Sequence, residues 1–283
     1  MRKYEGEPDY AAGDYDQSDR RLARGWFFRT VVGWLIIVNV AVYVLEEIIV
    51  LHAQPEAFNA IFDRFLALSP RGVFTHGYVW QLLTYAFLHD PESIFHVLFN
   101  MLCLYWFGRE IESVWGPRRF LAFYLTAAVF AAFAFAALHC FWPLRATCVG
   151  ASGAIMALIM VYALWWPNRT ILFMFLFPMR VWTFVLIIIG IEAISLLQTA
   201  DNGVANMAHL AGLLYGYLIV RVAPRLGFSI TRFPAEKLSA LREARKAADE
   251  RRLDELLEKV HRQGIQSLAW RERRFLKKMS RRH

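Results

Sequence analysis

Long apolar stretches separated by short polar connections make up most of this chain. They fall at about residues 31–51, 93–108, 120–141, 151–166, 181–197 and 203–222. A run of roughly 20 apolar residues is long enough to cross a bilayer as a helix. The pattern therefore predicts an all-α, polytopic membrane protein with six transmembrane helices. The second and fourth stretches are short for spans. The first 30 residues are polar and charged, unlike a cleavable signal peptide, so the first helix reads as an internal anchor.

The segments between and around these stretches divide the chain further. Residues 1–24 are acidic, contain Tyr and Gly, and show little apolar pattern, so they are expected to be a disordered cytoplasmic tail. Residues 25–222 form the expected membrane domain. Within the long connection 52–92, Phe58, Ile61, Phe62, Phe65 and Leu66 recur at helical spacing. They predict a short helix lying in the membrane interface, apolar face down. Ser69-Pro70-Arg71-Gly72 then breaks it. Residues 223–283 are expected to be a basic, helical cytoplasmic tail, entered through a linker between Pro224 and Pro234. Leu253, Leu256, Leu257 and Val260 form one stripe ended by Gly264. Ser267 reads as the cap of a second helix carrying Trp270, Phe275, Leu276 and Met279. No internal repeat is visible.

Charge gives this pattern a direction. Arg20, Arg21, Arg24 and Arg29 precede the first helix. Arg109, Arg118 and Arg119 lie between the second and third, and Arg169 and Arg180 between the fourth and fifth. The alternate connections hold only Arg64, Arg71 and Arg145. The excess of Lys and Arg on cytoplasmic connections puts both termini inside. Residues 221–283 carry 18 Lys and Arg against 8 Asp and Glu, a net of +10, which exceeds the +8 of the whole chain. A basic tail beside a membrane suits anionic lipid more than nucleic acid, and no nucleic-acid partner is expected. The chain is 57% hydrophobic and 16% aromatic, with a mean hydropathy of +0.33, too apolar for an ordinary soluble domain. Cys103, Cys140 and Cys148 form no metal pattern, and no metal or cofactor is implied. A disulfide between Cys140 and Cys148 stays open beside a reading of both as small packing residues.

Parity makes the polar residues inside the apolar stretches interesting. With the N-terminus inside, helices two, four and six all run from outside to inside. His96 and Asn100 on helix two, Ser152 at the start of helix four and His209 on helix six then share one membrane depth. Polar side chains at such depth are costly and mark function. Their chemistry is that of acyl transfer. A serine hydroxyl needs a base to take its proton, and His209 can be that base and then protonate the leaving amine. No acidic residue stands near His209 in sequence in an orienting position, so the reading is a Ser152–His209 dyad. His96 and Asn100, four apart on one face, and the Ser152 backbone N–H are candidate oxyanion donors. Gly150 and Gly153 allow close approach around the serine. Ala208, Gly212 and Gly216 form a small-residue face that could hold helix six against helix four.

These residues stand in recognisable strings. Gly-Ala-Ser-Gly at 150–153, Ala-His-Leu-Ala-Gly at 208–212 with Gly216, and His96-Val-Leu-Phe-Asn100 resemble the nucleophile, histidine and oxyanion motifs of rhomboid intramembrane serine proteases. Gly108 through Gly116, with Arg109 and Glu112, resembles the stretch closing that family's second helix. The resemblance covers about residues 75–222, and the residues after 235 resemble a cytoplasmic extension of some bacterial members. It implies a six-helix rhomboid-like bundle in a bacterial plasma membrane that cleaves single-span membrane proteins in or near their membrane segment. Two positions depart from the family pattern. Gln81 follows Trp80 where the family often has Arg, which is expected to loosen the external loop. Met156 stands where many members have a Tyr stacked on the histidine, and is expected to pack on the imidazole edge less rigidly.

Other polar residues invite plainer readings. Glu46 and Glu47 are expected at the interface, Arg109 and Glu112 as a stitch between the end of helix two and the first loop, and His89 and the Trp80 region as structural. Two alternatives remain beside the protease. One is a catalytically idle, rhomboid-like binder of membrane clients. The other is a transporter that uses Glu192 on helix five together with the histidines.

Overall fold

The computed structural model describes residues 27–52, 59–91, 93–138, 147–173, 177–198, 203–226 and 235–280. The expected tail 1–24 and Cys140, with its pairing to Cys148, lie outside the described residues. The chain forms two compact units, Met1–Arg232 and Phe233–His283.

Among the described residues of the first unit, each of the six apolar stretches carries a helix. These are α1 (Val31–His52), α2 (Ile94–Cys103), α3 (Pro117–Leu138), α4 (Ser152–Trp165), α5 (Val181–Gln198) and α6 (Gly203–Arg221). A wide turn, Leu104–Gly108, and a further helical segment, Arg109–Trp115, extend α2. Among the described residues, two helices, Val31–Val50 and Pro117–Leu138, are long and apolar enough to cross a membrane, and Ser152–Trp165 and Val181–Leu196 are shorter apolar helices.

Burial orders these helices. From Gly153 to Ala163, α4 is buried at every position but Met156. A helix that is apolar all round belongs in the middle of its bundle. Ala127, Ala128, Ala131, Ala132 and Ala136 give α3 a buried small-residue stripe, so its neighbours approach closely. By contrast α1 exposes Trp34, Val38, Val40 and Val44, and α5 exposes Leu186, Ile187, Ile191 and Ile194. Such contiguous apolar surface suits contact with lipid.

The connection after α1 is built more firmly than the sequence suggests. Asn59–Leu66 is a wide helical turn whose Phe62 is buried with Ala67 and Leu88, while Phe65 stays exposed. Phe62 thus packs on the protein, whereas the sequence pattern expected an apolar face turned to lipid. Ser69 does break this turn, and it also starts the next helix, Pro70–His76. Its Oγ accepts from the Gly72 N–H at 2.8 Å, with Pro at the first helical position and Gly77 closing the helix at φ +72°. Gln81 is fully buried. Its Oε1 accepts from the Ser69 N–H at 3.1 Å and its Nε2 donates to the Arg64 carbonyl at 2.9 Å. The expected loosening at this position is therefore corrected, because a neutral amide satisfies one donor and one acceptor where a cation could only donate.

Three further expectations change. Glu46 does not meet water at the outer end of α1: it is 1% exposed and accepts the His89 backbone N–H at 3.1 Å. Glu112 does not reach the first loop. Its two carboxylate oxygens accept the N–H groups of Val31 and Val32 at 2.9 Å each, so it caps the start of α1, where helix N–H groups lack partners and a negative charge is favoured. Between α4 and α5 lies an antiparallel hairpin, β1 (Thr170–Phe173) with β2 (Phe177–Arg180), which the all-α expectation omitted. Runs of four residues carry too little periodicity to be told from helix ends.

The second unit contains α7 (Ala235–Gln263) and α8 (Trp270–Ser280), joined at Gly264, which adopts φ +79°. Leu256, Leu268, Phe275 and Met279 form its core, with Leu253, Val260 and Leu276 against them. Leu257 and Trp270 face outward. Ser267 is not the cap of α8, since its Oγ donates to the Gly264 carbonyl. The start of α8 is held by Glu272, whose carboxylate accepts the Ala269 N–H at 2.7 Å and a bond from Lys259 Nζ.

Candidate active site

Ser152 is the first residue of α4, so its backbone N–H is among those with no intrahelical acceptor. The approach to it is fixed by the first connection. Cys148 pairs with Leu68 through both backbone bonds, at 2.9 and 3.0 Å, and the Gly150 N–H donates to the Tyr85 carbonyl at 2.9 Å. Gly150 holds φ +123°, a conformation that side-chain-bearing residues rarely adopt. Burial pushes the Cys148 thiol up to about 12, which keeps it a neutral packing group.

Helix α6 meets α4 along its glycines. A Cβ on Gly212 would lie 2.0 Å from the Gly153 carbonyl oxygen, and one on Gly216 would lie 2.5 Å from that of Ala157. Gly153 is itself enclosed, by Ala131 of α3, the Tyr85 hydroxyl and the Ala208 carbonyl. The two helix backbones are therefore in contact, as the Ala208–Gly212–Gly216 spacing predicts. At that separation the Ser152 Oγ lies 2.6 Å from His209 Nε2, a hydrogen bond. Met156 is half-buried on α4 with its Cβ against Gly212, which places it beside α6 one turn beyond His209.

The other ring nitrogen of His209 is also engaged. His209 Nδ1 lies 2.8 Å from Oε1 of Glu192, on α5. The expectation that no acid orients this histidine is thereby corrected. Glu192 is 17 positions away in sequence on a different helix, so nothing in the local pattern could show the pairing. The one signal was the carboxylate itself, standing in an apolar stretch.

The sequence also groups His96 and Asn100, one turn apart on α2. A Cβ placed on Gly150 would fall 2.9 Å from His96 Nε2 and 3.6 Å from Ser152 Oγ, so the missing side chain leaves a small gap between the two. The Asp90 N–H donates to His96 Nδ1 in a long bond of 3.4 Å. An Nδ1 that accepts leaves Nε2, the nitrogen toward Gly150, to carry the proton. Asn100 is 7% exposed, and its amide nitrogen has no hydrogen-bond partner among the described residues. A buried amide left unpaired costs free energy and points to a ligand. His89 stacks edge-on to the His96 ring at 5.2 Å, and Trp80 donates to the Phe65 carbonyl, which fits their structural reading. Arg109 Nη1 donates to the Tyr105 hydroxyl in a long bond, while Arg169 joins Glu110 in a two-pronged ion pair that ties the α2 extension to the segment after α4. No cluster of metal-binding side chains occurs among the described residues.

A family model described as the Rhomboid domain matches residues 76–225. The chain belongs to the rhomboid family. It is accordingly an integral membrane protein of a family of intramembrane serine proteases. A second model, for a family of unknown function, matches residues 243–282 in the tail unit. Similar proteins include the mitochondrial RHOMBOID-like protein 12 of Arabidopsis thaliana, 26% identical over 65% of this chain and 55% of that protein. YdcA of Bacillus subtilis is 33% identical over 51% of this chain and 67% of its own length. The rhomboid protease GluP of Bacillus subtilis is 33% identical over 49% of this chain. The chain covers about half of the Arabidopsis relative and 25% of GluP.

Proposed function

We propose that this rhomboid is an active intramembrane serine endopeptidase. The observation that carries the reading is the 2.6 Å bond between Ser152 Oγ and His209 Nε2. In this reading the hydroxyl proton passes to Nε2 as Oγ attacks the scissile carbonyl carbon. The oxygen that gains negative charge enters the gap beside Gly150. There the Ser152 backbone N–H, His96 Nε2–H and the Asn100 amide donate to it. The imidazolium then protonates the departing amine, and the same ring activates the water that hydrolyses the acyl ester. Gly150, Gly153, Gly212 and Gly216 serve by letting backbones approach, and Met156 by packing at the α4–α6 contact.

The surrounding protein follows the same reading. All six long helices span the membrane, with both termini cytoplasmic, in a bacterial plasma membrane. The membrane domain covers residues 25–222 and the cytoplasmic tail 223–283, whose basic surface meets anionic lipid. Substrates are single-span membrane proteins whose helix unwinds between α2 and α5, where its backbone reaches the polar groups of the site. The bond from Ser152 to His209 favours the protease over a transporter, which has no use for a serine nucleophile.

Cleavage of a single-span substrate by purified protein in liposomes tests the proposal, comparing wild type with Ser152→Ala and His209→Ala. Cleavage by wild type, lost in both variants, is expected. Activity that survives Ser152→Ala would remove the nucleophile. A wild type that neither cleaves nor takes up a fluorophosphonate probe would leave the idle client binder.

A further inference from the structure

We infer that Glu192 is a positioning residue for this chemistry, orienting His209 so that the pair Ser152–His209 acts as part of a Ser–His–Glu triad. The inference rests on the protease reading and names a residue which that reading does not need.

The geometry gives the carboxylate a defined task. A neutral imidazole carries one proton, on one nitrogen. To receive the Ser152 proton, Nε2 must be bare, so the proton must sit on Nδ1. Glu192 Oε1 lies 2.8 Å from Nδ1 and can accept that proton's hydrogen bond. The competing tautomer, with the proton on Nε2, would turn a bare Nδ1 toward a carboxylate, which repels it. Glu192 therefore selects the tautomer that can act as base, and fixes the ring about its own axis. Once Nε2 takes the proton from Oγ, the imidazolium lies between the attacking oxygen and an ionised carboxylate. The carboxylate gains no proton; it stabilises the charge that the step creates.

The setting makes the contact consequential. The Glu192 and His209 side chains are only 13% and 18% exposed, so the pair is shielded from bulk water. A carboxylate in an apolar helix is expensive and persists where it is paired. Helix α5 brings this carboxylate to the ring, whereas α4 and α6 are already locked together through Gly153 and Gly212. The third helix thus holds the ring from the side opposite the serine.

Charge and shape can be separated by substitution. Glu192→Gln keeps the size but presents an amide that can donate to Nδ1 and favour the wrong tautomer. Glu192→Leu removes both the charge and the acceptor, and Glu192→Asp keeps the charge on a shorter stem. With the single-span substrate in liposomes, we expect Gln and Leu each to lower kcat at least about tenfold, the direction seen when a triad carboxylate becomes an amide. KM should stay within about twofold, and Asp should recover more of kcat than Gln. A merely structural contact predicts the reverse order, with the isosteric Gln recovering most. Wild-type kcat in folded Glu192→Gln would overturn the inference.

A second readout is independent of turnover. In protein labelled with ¹⁵N-histidine, the His209 ring of wild type should show a protonated Nδ1 and a bare Nε2, assigned by loss of the signal in His209→Gln. A ring protonated on Nε2 would overturn the inference, even if the Glu192 variants do not fold. If wild type neither cleaves substrate nor takes up a fluorophosphonate, the protease reading fails, and the ring spectrum still reports whether Glu192 sets the tautomer.

Discussion

Gly212 faces the carbonyl of Gly153 so closely that no other residue fits there. The 2.0 Å between a would-be Cβ and a backbone oxygen cannot be relieved by a rotamer change. Gly212→Ala must push α6 from α4 and lengthen the Ser152–His209 bond. Overpacking of this kind costs about 1–3 kcal/mol, which outweighs the roughly 1 kcal/mol that Ala gains over Gly as a helix former. Gly190 on α5 is the control, since a Cβ there meets nothing within 4 Å. Thermal unfolding should show Gly212→Ala destabilised and Gly190→Ala unchanged or stabilised. Cleavage should fall more than tenfold in the first alone, and equal melting of both variants would disprove the backbone contact.

Asn100 offers a buried amide nitrogen that no described residue accepts from. If it donates to the oxyanion, its bond forms mainly in the transition state. Asn100→Ala should then lower kcat by about 10²–10³ while KM changes little. Removing an unpaired buried polar group should leave folding stability unchanged or raised. A variant with normal kcat, or one that loses activity only through a raised KM, would take Asn100 out of the oxyanion site.

The legible parts of this molecule are those written as a period. The six apolar stretches became α1 to α6 within a few residues, and the spacing of Ala208, Gly212 and Gly216 foretold which face of α6 meets α4. What stayed hidden was the destination of each lone polar side chain. Glu46, Gln81, Glu112 and Glu192 are all buried or half-buried, and each bonds a group 12 or more positions away. Period reveals which face of a helix is buried, but not which distant N–H or imidazole a single carboxylate will meet. The hairpin β1–β2 escaped for another reason, because its register comes from chain reversal between α4 and α5, not from its own alternation.

Gln81 tests the corrected view of the first connection. It joins Ser69 to Arg64 by two hydrogen bonds inside a space with no slack, since a Cβ on Gly72 would lie 2.3 Å from its Oε1. Gln81→Leu keeps the bulk and orphans both backbone groups, at about 1–3 kcal/mol for each unsatisfied buried partner. Gln81→Arg adds length and charge where neither fits. Both should lower the melting temperature and speed amide exchange over residues 64–72. A higher melting temperature in Gln81→Arg would restore the view that glutamine loosens this loop.

His89 gives the fold a pH dependence on the acid side. It is 1% exposed, in the connection before α2, and burial holds its imidazole down at about 4, helped by the nearby His96 and only partly opposed by the Phe87 backbone. An unfolded histidine titrates near 6.5. Between these values the unfolded chain binds a proton that the folded one refuses, so stability falls as the pH drops from about 6.5 toward 4. The difference of some 2.5 units corresponds to about 3 kcal/mol at most, at roughly 1.4 kcal/mol per unit. Above pH 7 the residue contributes nothing to the slope. His89→Phe, which keeps an aromatic ring against His96, should flatten the melting temperature between pH 6.5 and 4 relative to wild type. Parallel curves for the two proteins would show that another group carries the acid sensitivity, and that His89 titrates alike in the folded and unfolded states.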